Sequence, residues 1–343
     1  MTDGLENATD ARNADAAWLA AALRASREDT LSTFATLERS LAQLTVPQRE
    51  TLNPPLWELG HIGWFQEFWI GRNPLRFAGA AADPDAPRLP GVRAQSDALY
   101  DSSKVPHDMR WSLPLPGADG TRSDLAEQLQ GTLAWLREAE GSDAALYFFR
   151  LALFHEDMHH EAALYMAQSL GVAIDGPRWQ AAALPDEGRQ IGFEAGPWEW
   201  GNAGPGFAFD NELASHTAAL PATSIDSRVT RWAEYLPFVE SGGYQQPRWW
   251  DDAGAAWMAD ERSEVPRYLR RDGATWQQWR HGSWRALDLR QPACHLTAHE
   301  AQARCRRAGV AASMAALEQQ DAMVPRVADQ QVAGMEQHRV GPG

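Results

Sequence analysis

FHEDMHHEAALYM, residues 154–166, is the stretch on which the reading of this chain turns. His155 and His159 are four residues apart. On a helix they lie on one face, one turn from each other, and both imidazoles reach one metal ion. Phe154, Met158, Ala162, Tyr165 and Met166 place the segment against an apolar core. The alternative is two unrelated histidines on a charged surface. A histidine- and acid-rich face inside an apolar helix is costly unless it is used. Working outward, the helix spans 143–170 and Gly171 supplies its C-cap. A helix over about 122–139 precedes it. Residues 14–44 read as a long helix, rich in Ala and Leu, with apolar positions at three and four and no Pro or Gly. Another helix starts near Asn53-Pro54-Pro55, because prolines fit a first turn, and runs through LWELGHIGWFQEFWI to Ile70. Between them, residues 72–120 are rich in Pro, Gly, Asp and Arg without a sustained period. Long loops of this kind are often functional. Four helices with one long crossover predict a helical bundle.

Two histidines do not complete a metal site. His61 is the best third ligand: it sits mid-helix among tryptophans, where a lone polar side chain needs a partner. By itself it reads first as a satisfied core histidine, and only the neighbouring HxxxH face puts the ligand role ahead. Three neutral imidazoles suit zinc, copper, nickel or ferrous iron and leave positions open for substrate or oxygen. Glu156 also makes HEDMH a match to the H-E-x-x-H zinc hydrolase motif, with Glu156 as base. That motif is short. The segment after the helix offers only Asp175, Asp186 and Glu187 as a downstream ligand, and Asp157 is an awkward charge at a position usually buried. A third reading is a bundle that binds a metal or small ligand without turnover.

The chain has 343 residues, enough for about two domains. Its net charge of −15 argues against nucleic acid as a partner. No apolar run is long enough for a membrane span, and the polar, acidic N-terminus does not read as a signal peptide, so a cytoplasmic location is expected. The 2 cysteines, Cys294 and Cys305, exclude a disulfide framework and a cysteine metal cage. After Pro177, short apolar runs alternate with Gly, Pro, Asn and Asp, as in GPWEWGNAGPGFAFDNE. This predicts an irregular α+β domain with helices near 229–241 and 297–308. Asp210, Asn211 and Glu212 read first as turn-capping residues and second as residues that line a cleft. His295 and His299 are also four apart and, with Cys294, form a weaker second metal candidate. The sequence leaves the oligomeric state open.

Several segments together resemble the ergothioneine-type sulfoxide synthases. LGHIGWFQEFW is similar to the family's first ligand segment, and His155, His159 and Glu161 to its second. GFAFDNE (206–212), VTRWAEYLPFVESGGYQQPRWW (229–250) and ACHLTAHEAQARC (293–305) are similar to its second domain. The resemblance covers roughly residues 15–308 and implies a multi-domain fold. A DinB-like four-helix bundle over 14–176 is followed by an irregular α+β domain over 185–309, like the formylglycine-generating enzyme and C-type lectins. It implies Fe(2+) held by His61, His155 and His159, and oxygen-dependent joining of a chalcogen donor to C2 of the hercynine imidazole. Fe(II) keeps its charge in a neutral three-histidine site, so an anionic thiolate or selenolate and O2 bind well there. Tryptophan faces and acidic side chains suit the quaternary ammonium of hercynine.

Two departures qualify the resemblance. Sulfoxide synthases carry an arginine-rich stretch in the inter-helix loop, which grips a peptide thiol. Here the loop reads LYDSSKVPHDMRWSLPLP (99–116), more like the selenoneine synthase branch with its selenosugar donor. Asp101, Ser102, Ser103, His107, Asp108 and Arg110 are therefore donor-pocket candidates, since a sugar needs polar hydrogen bonds more than arginine forks. Beyond Gly309 the family pattern stops, and so does any match to its catalytic tyrosine; the last tyrosine is Tyr268. Residues 310–343 contain no aromatic residue. They read as an aberrant or disordered tail that leaves the second domain cut short and turnover weak.

Overall fold

The structure is a computed structural model and describes residues 8–174 and 176–309. Its helices are α1 (Ala8–Asn13), α2 (Ala16–Ser40), α3 (Pro55–Gln66), α4 (Ser96–Tyr100), α5 (Ala118–Glu138), α6 (Asp143–Leu170), α7 (Trp232–Glu240), α8 (Asp252–Glu261) and α9 (Ala298–Ala308). Its strands are β1 (Gln190–Phe193), β2 (Gly196–Trp200), β3 (His216–Leu220), β4 (Thr223–Asp226), β5 (Leu269–Asp272), β6 (Thr275–Arg280) and β7 (Ser283–Ala286). They form small sheets, β1–β4, β2–β3 and β5–β6–β7. The expectation for 310–343 lies outside the described residues.

The long helices of the bundle are α2, α3, α5 and α6, the four that the sequence predicts. Asp15 caps α2 by accepting from the Trp18 amide, and Leu19, Leu23, Thr30, Phe34 and Leu37 form its buried stripe at helical spacing. Ser142 caps the start of α6, and Gly171 ends it at φ 71°, the left-handed conformation that favours glycine. Leu19, Leu23, Ile70, Leu133, Leu136, Leu146, Phe149 and Leu153 pack together as the core. Helix α3 begins with Pro55 in its first turn and is buried almost all round, which is why its sequence lacks an amphipathic stripe. It runs on as a wider, π-helical turn over Glu67–Gly71.

The predicted loop after Ile70 is built around arginines. Arg72 grips Asp97 through both terminal nitrogens (2.6 and 2.9 Å) and donates to the Leu89 carbonyl. The Asp97 carboxyl falls to about 2, chiefly through this pairing. Arg76 donates to the Ile70 carbonyl and lies 3.7 Å over the Trp135 ring. Helix α4 and a short 3-10 turn at His107–Trp111 lie within the loop, and α5 begins at Ala118, four residues before the predicted start.

The chain divides into two compact units, and the division is not collinear with sequence. Glu199–His216 and Arg280–Ser283 belong with the helical unit. The first of these contains GFAFDNE, which the resemblance assigned to the second domain. Phe207 stacks on Phe154, the Gly206 amide donates to Asp143, and Arg12 bridges the Phe207 carbonyl and both Glu212 oxygens. Glu212 accepts from the Phe209 amide, which is the turn-capping role expected of this segment.

The second unit packs α7, α8 and α9 with β1–β4 and most of β5–β6–β7. Its core is aromatic: Trp232, Tyr235, Phe238, Tyr244 and Trp250, with Leu269 and Ala303. Thr297 caps α9 by accepting from the Glu300 amide, and Glu300 returns a bond to the Thr297 amide. Helix α8 was not predicted; its apolar residues are mostly alanines and it buries only Gly254.

Candidate metal centre

Helices α3 and α6 bring His61, His155 and His159 together. One ring nitrogen from each lies within 4.8 Å of the others, and among the described residues this is the one cluster of metal-ligating side chains. His61 (4 % exposed) and His155 (9 % exposed) are buried, and His159 is half-buried. The i, i+4 spacing on α6 sets the His155–His159 pair. His61 reaches them because α3 packs against α6.

The histidines have distinct surroundings. His61 Nδ1 lies 2.8 Å from the Tyr100 carbonyl, which only accepts, so Nδ1 carries the proton and Nε2 remains for a ligand. Its ring is stacked on Trp57, with centroids 4.8 Å apart. His159 Nδ1 lies 2.5 Å from Glu58 Oε2, which likewise leaves Nε2. His155 stacks on Phe65 with centroids 3.5 Å apart. Burial, then the neighbouring His159, lowers His61 to about 4, and the same two causes with His61 hold His155 well below its ordinary value. Both are therefore neutral at pH 7, the form that binds metals. The donor set of three neutral imidazoles fits a borderline divalent ion such as Fe(II) or Zn(II).

Glu58 is a site residue that sequence reasoning missed. It is 6 % exposed, accepts from Asn53 Nδ2 at 2.5 Å and pairs with His159. Burial pushes its carboxyl up, but the His159 hydrogen bond, the nearby His159 and His61 rings and Asn53 outweigh this and leave it below the ordinary value. A signal was present: Glu58 is a charged residue in the same apolar helix that singled out His61.

The loop candidates separate. Arg110 reaches the site's surroundings: its guanidinium lies 3.9 Å over Trp57, and Nη1 donates to Asn53 Oδ1 at 2.9 Å. Asp101 is spent within its own turn, accepting from the Ser103 amide and hydroxyl and from Lys104 Nζ. His107 Nε2 bonds the Leu52 carbonyl, the Asp108 carbonyl accepts from Gln48, and Ser102 and Asp108 are exposed.

Glu156 does not face the histidines as a base would. It is 1 % exposed, and both its oxygens are held by Arg27, Nε at 2.7 Å and Nη2 at 3.0 Å. HEDMH is thus two ligand candidates flanking half of a buried ion pair, and the zinc hydrolase reading loses its base. Asp157 points outward, exposed, and accepts from Ser26. His295 and His299 turn to different rings, Tyr268 and Trp257, and do not form a second metal cluster.

Gly60, one residue before His61, is required by packing. A Cβ there would collide with Cε1 and Cζ of Tyr100, the residue whose backbone carbonyl holds His61. Gly60→Ala is expected to cost about 1–3 kcal/mol by overpacking and to weaken metal binding with it. Urea melts and a metal titration on the same variant check both.

Residues 22–163 match the DinB superfamily, and the helical domain is a DinB domain. Over most of its length the chain is similar to curated hercynine oxygenases. It is 30% identical to that of Mycolicibacterium thermoresistibile over 266 residues, covering 75% of this chain and 56% of the relative. It is 28% identical to that of Mycolicibacterium smegmatis over 300 residues, 85% of this chain and 65% of the relative. To that of Mycobacterium tuberculosis it is 29% identical over 287 residues, 78% and 61%. The chain thus spans between 56% and 65% of the length of these relatives. No described helix is long and apolar enough to cross a membrane.

Proposed function

We propose that the chain is a non-haem Fe(II), O2-dependent enzyme that joins a chalcogen donor to C2 of the hercynine imidazole. The observation that carries this reading is the convergence of three buried imidazoles, His61, His155 and His159, in a chain similar to hercynine oxygenases. These residues would hold the ion. When bound, Fe(II) supplies open coordination positions for O2 and an anionic chalcogen donor. The chain's own residues do the rest. Tyr100 and Glu58 orient two of the ligand rings, and Trp57, Trp64 and Phe65 wall His61 from solvent.

The donor we favour is a selenosugar, making this a selenoneine synthase-like enzyme; a thiol donor, giving a C–S bond, is the alternative. The loop's arginines support the selenosugar. Arg72 and Arg93 are each forked onto a carboxylate, Asp97 and Asp124. Arg76 and Arg88 bond backbone carbonyls, and Arg110 bonds Asn53. A peptide thiol would need such forks for its own carboxylates. The remaining donor-pocket candidates are Ser102, Ser103, His107 and Asp108, with Arg110 nearest the ligand network. We read the irregular α+β unit as the formylglycine-generating-enzyme-like partner of the bundle. The catalytic proton donor is unassigned.

The test is anaerobic loading of the purified chain with Fe(II), then hercynine, O2 and either a selenosugar or a cysteine-containing peptide thiol, with products read by mass spectrometry. A hercynine-derived product carrying selenium is expected. A chain that binds Fe(II) tightly but converts hercynine with neither donor would overturn the activity.

A further inference from the structure

We infer that Glu58 is a positioning residue for the metal centre, fixing His159 through Nδ1, with Asn53 and Arg110 holding Glu58 in turn. The inference rests on the metal-centre reading above and not on the choice of substrate. A carboxylate buried in an apolar helix is costly unless both oxygens are satisfied. Here each oxygen has one partner: Oε2 takes His159 Nδ1 and Oε1 takes Asn53 Nδ2, both at 2.5 Å. Asn53 is bonded at its other side-chain atom by Arg110 Nη1. Arg110 also lies on Trp57, and Trp57 on His61. One cation from the loop therefore braces two ligand rings by separate routes, a hydrogen-bond chain to His159 and a ring stack to His61.

The chemical consequence is asymmetry. A carboxylate behind an imidazole fixes the ring plane and makes the far nitrogen a stronger donor than a backbone carbonyl does. His159 is thus the stronger donor and His61, backed by Tyr100, the weaker. Glu58 also adds one negative charge beside an otherwise neutral donor set. The rival role for Glu58 is purely structural, an acidic residue in the first turn of α3 that favours the helix dipole.

The test uses the full chain, freed of metal, with Co(II) as the probe. Affinity comes from chelator competition and ligand geometry from the visible d–d spectrum. Glu58→Gln is expected to weaken Co(II) binding roughly 10–100-fold and to shift the d–d bands. Glu58→Asp should recover part of both, and Arg110→Met should move both in the direction of Glu58→Gln by less. Wild-type affinity and an unchanged spectrum in Glu58→Gln, even with a lowered melting temperature, would leave only the helix role and overturn the inference while the metal centre stands. A wild type that binds no Co(II) removes the metal centre and this inference with it. If Glu58→Gln fails to fold, Glu58→Asp and Arg110→Met are read in the same way, and wild-type behaviour in both overturns it.

Discussion

His155→Ala is expected to abolish metal-dependent stabilisation while leaving the bundle folded. His155 lies on α6 at one corner of the histidine triangle, with ring centroids 5.0 Å from His61 and 4.4 Å from His159. Removing it leaves two imidazoles, too few to hold a borderline ion against water and chelators. The bundle keeps its caps and leucine core, and the lost ring contact is chiefly the stack on Phe65. A ligand that binds only the native state at about 100 times its Kd stabilises by about 2.7 kcal/mol. For a unit of this size that is roughly 5–10 °C in Tm. The wild type should therefore melt higher with Fe(II), supplied anaerobically, than without, and His155→Ala should melt at one temperature in both conditions. Under the proposed function, hercynine conversion should fall to background in the variant. An undiminished metal-dependent rise in the melting temperature of His155→Ala would show that the ion sits elsewhere.

Breaking the Arg27–Glu156 pair should give the largest loss of stability of any single polar substitution in the bundle. The side chains are 5% and 1% exposed, and Arg27 also donates to the Leu125 carbonyl and to Gln66 Oε1. Arg27→Met strands a buried carboxylate, at a cost of roughly 3–5 kcal/mol. That corresponds to a Tm lower by about 6–20 °C. The double variant Arg27→Met, Glu156→Leu removes both charges and should recover much of that loss, because the desolvation penalty goes with them. Thermal melts of the metal-free single and double variants check this. The result also bears on the motif. If Glu156 were a hydrolytic base, Glu156→Gln would remove activity at full stability. The buried pair predicts lost stability instead, with activity following the folded fraction.

Local chemistry made much of this protein legible. Helical periodicity, Asp15 and Ser142 as N-caps and Gly171 as C-cap are decided by neighbours within a turn, so α2, α5 and α6 could be read directly. The His155–His159 pair is legible for the same reason, since four residues of helix set its spacing. Helix α3 was readable from Pro55 and its apolar content, although it is buried all round and shows no stripe. Short α8 was not, because it has neither a continuous stripe nor a large buried face.

Tertiary structure decided what each polar residue in those helices is for. Glu156 stands beside His155 in sequence, yet a helix turns about 100° per residue, so it faces Arg27 across the core, 129 positions away. Glu58 joins His159 from 101 positions away, and Arg110 joins Asn53 from 57. The loop candidates are alike in composition, but their fates differ because Asp101 closes on its own turn while Arg110 lies on Trp57. The sequence by itself determined the long helices and the one-face spacing of His155 and His159, because these depend on spacing and side-chain type. Only the folded chain decided which nitrogen His61 and His159 leave open, that Glu58 stands behind His159 and that Glu156 is locked away by Arg27, because each of these depends on a partner brought close by packing.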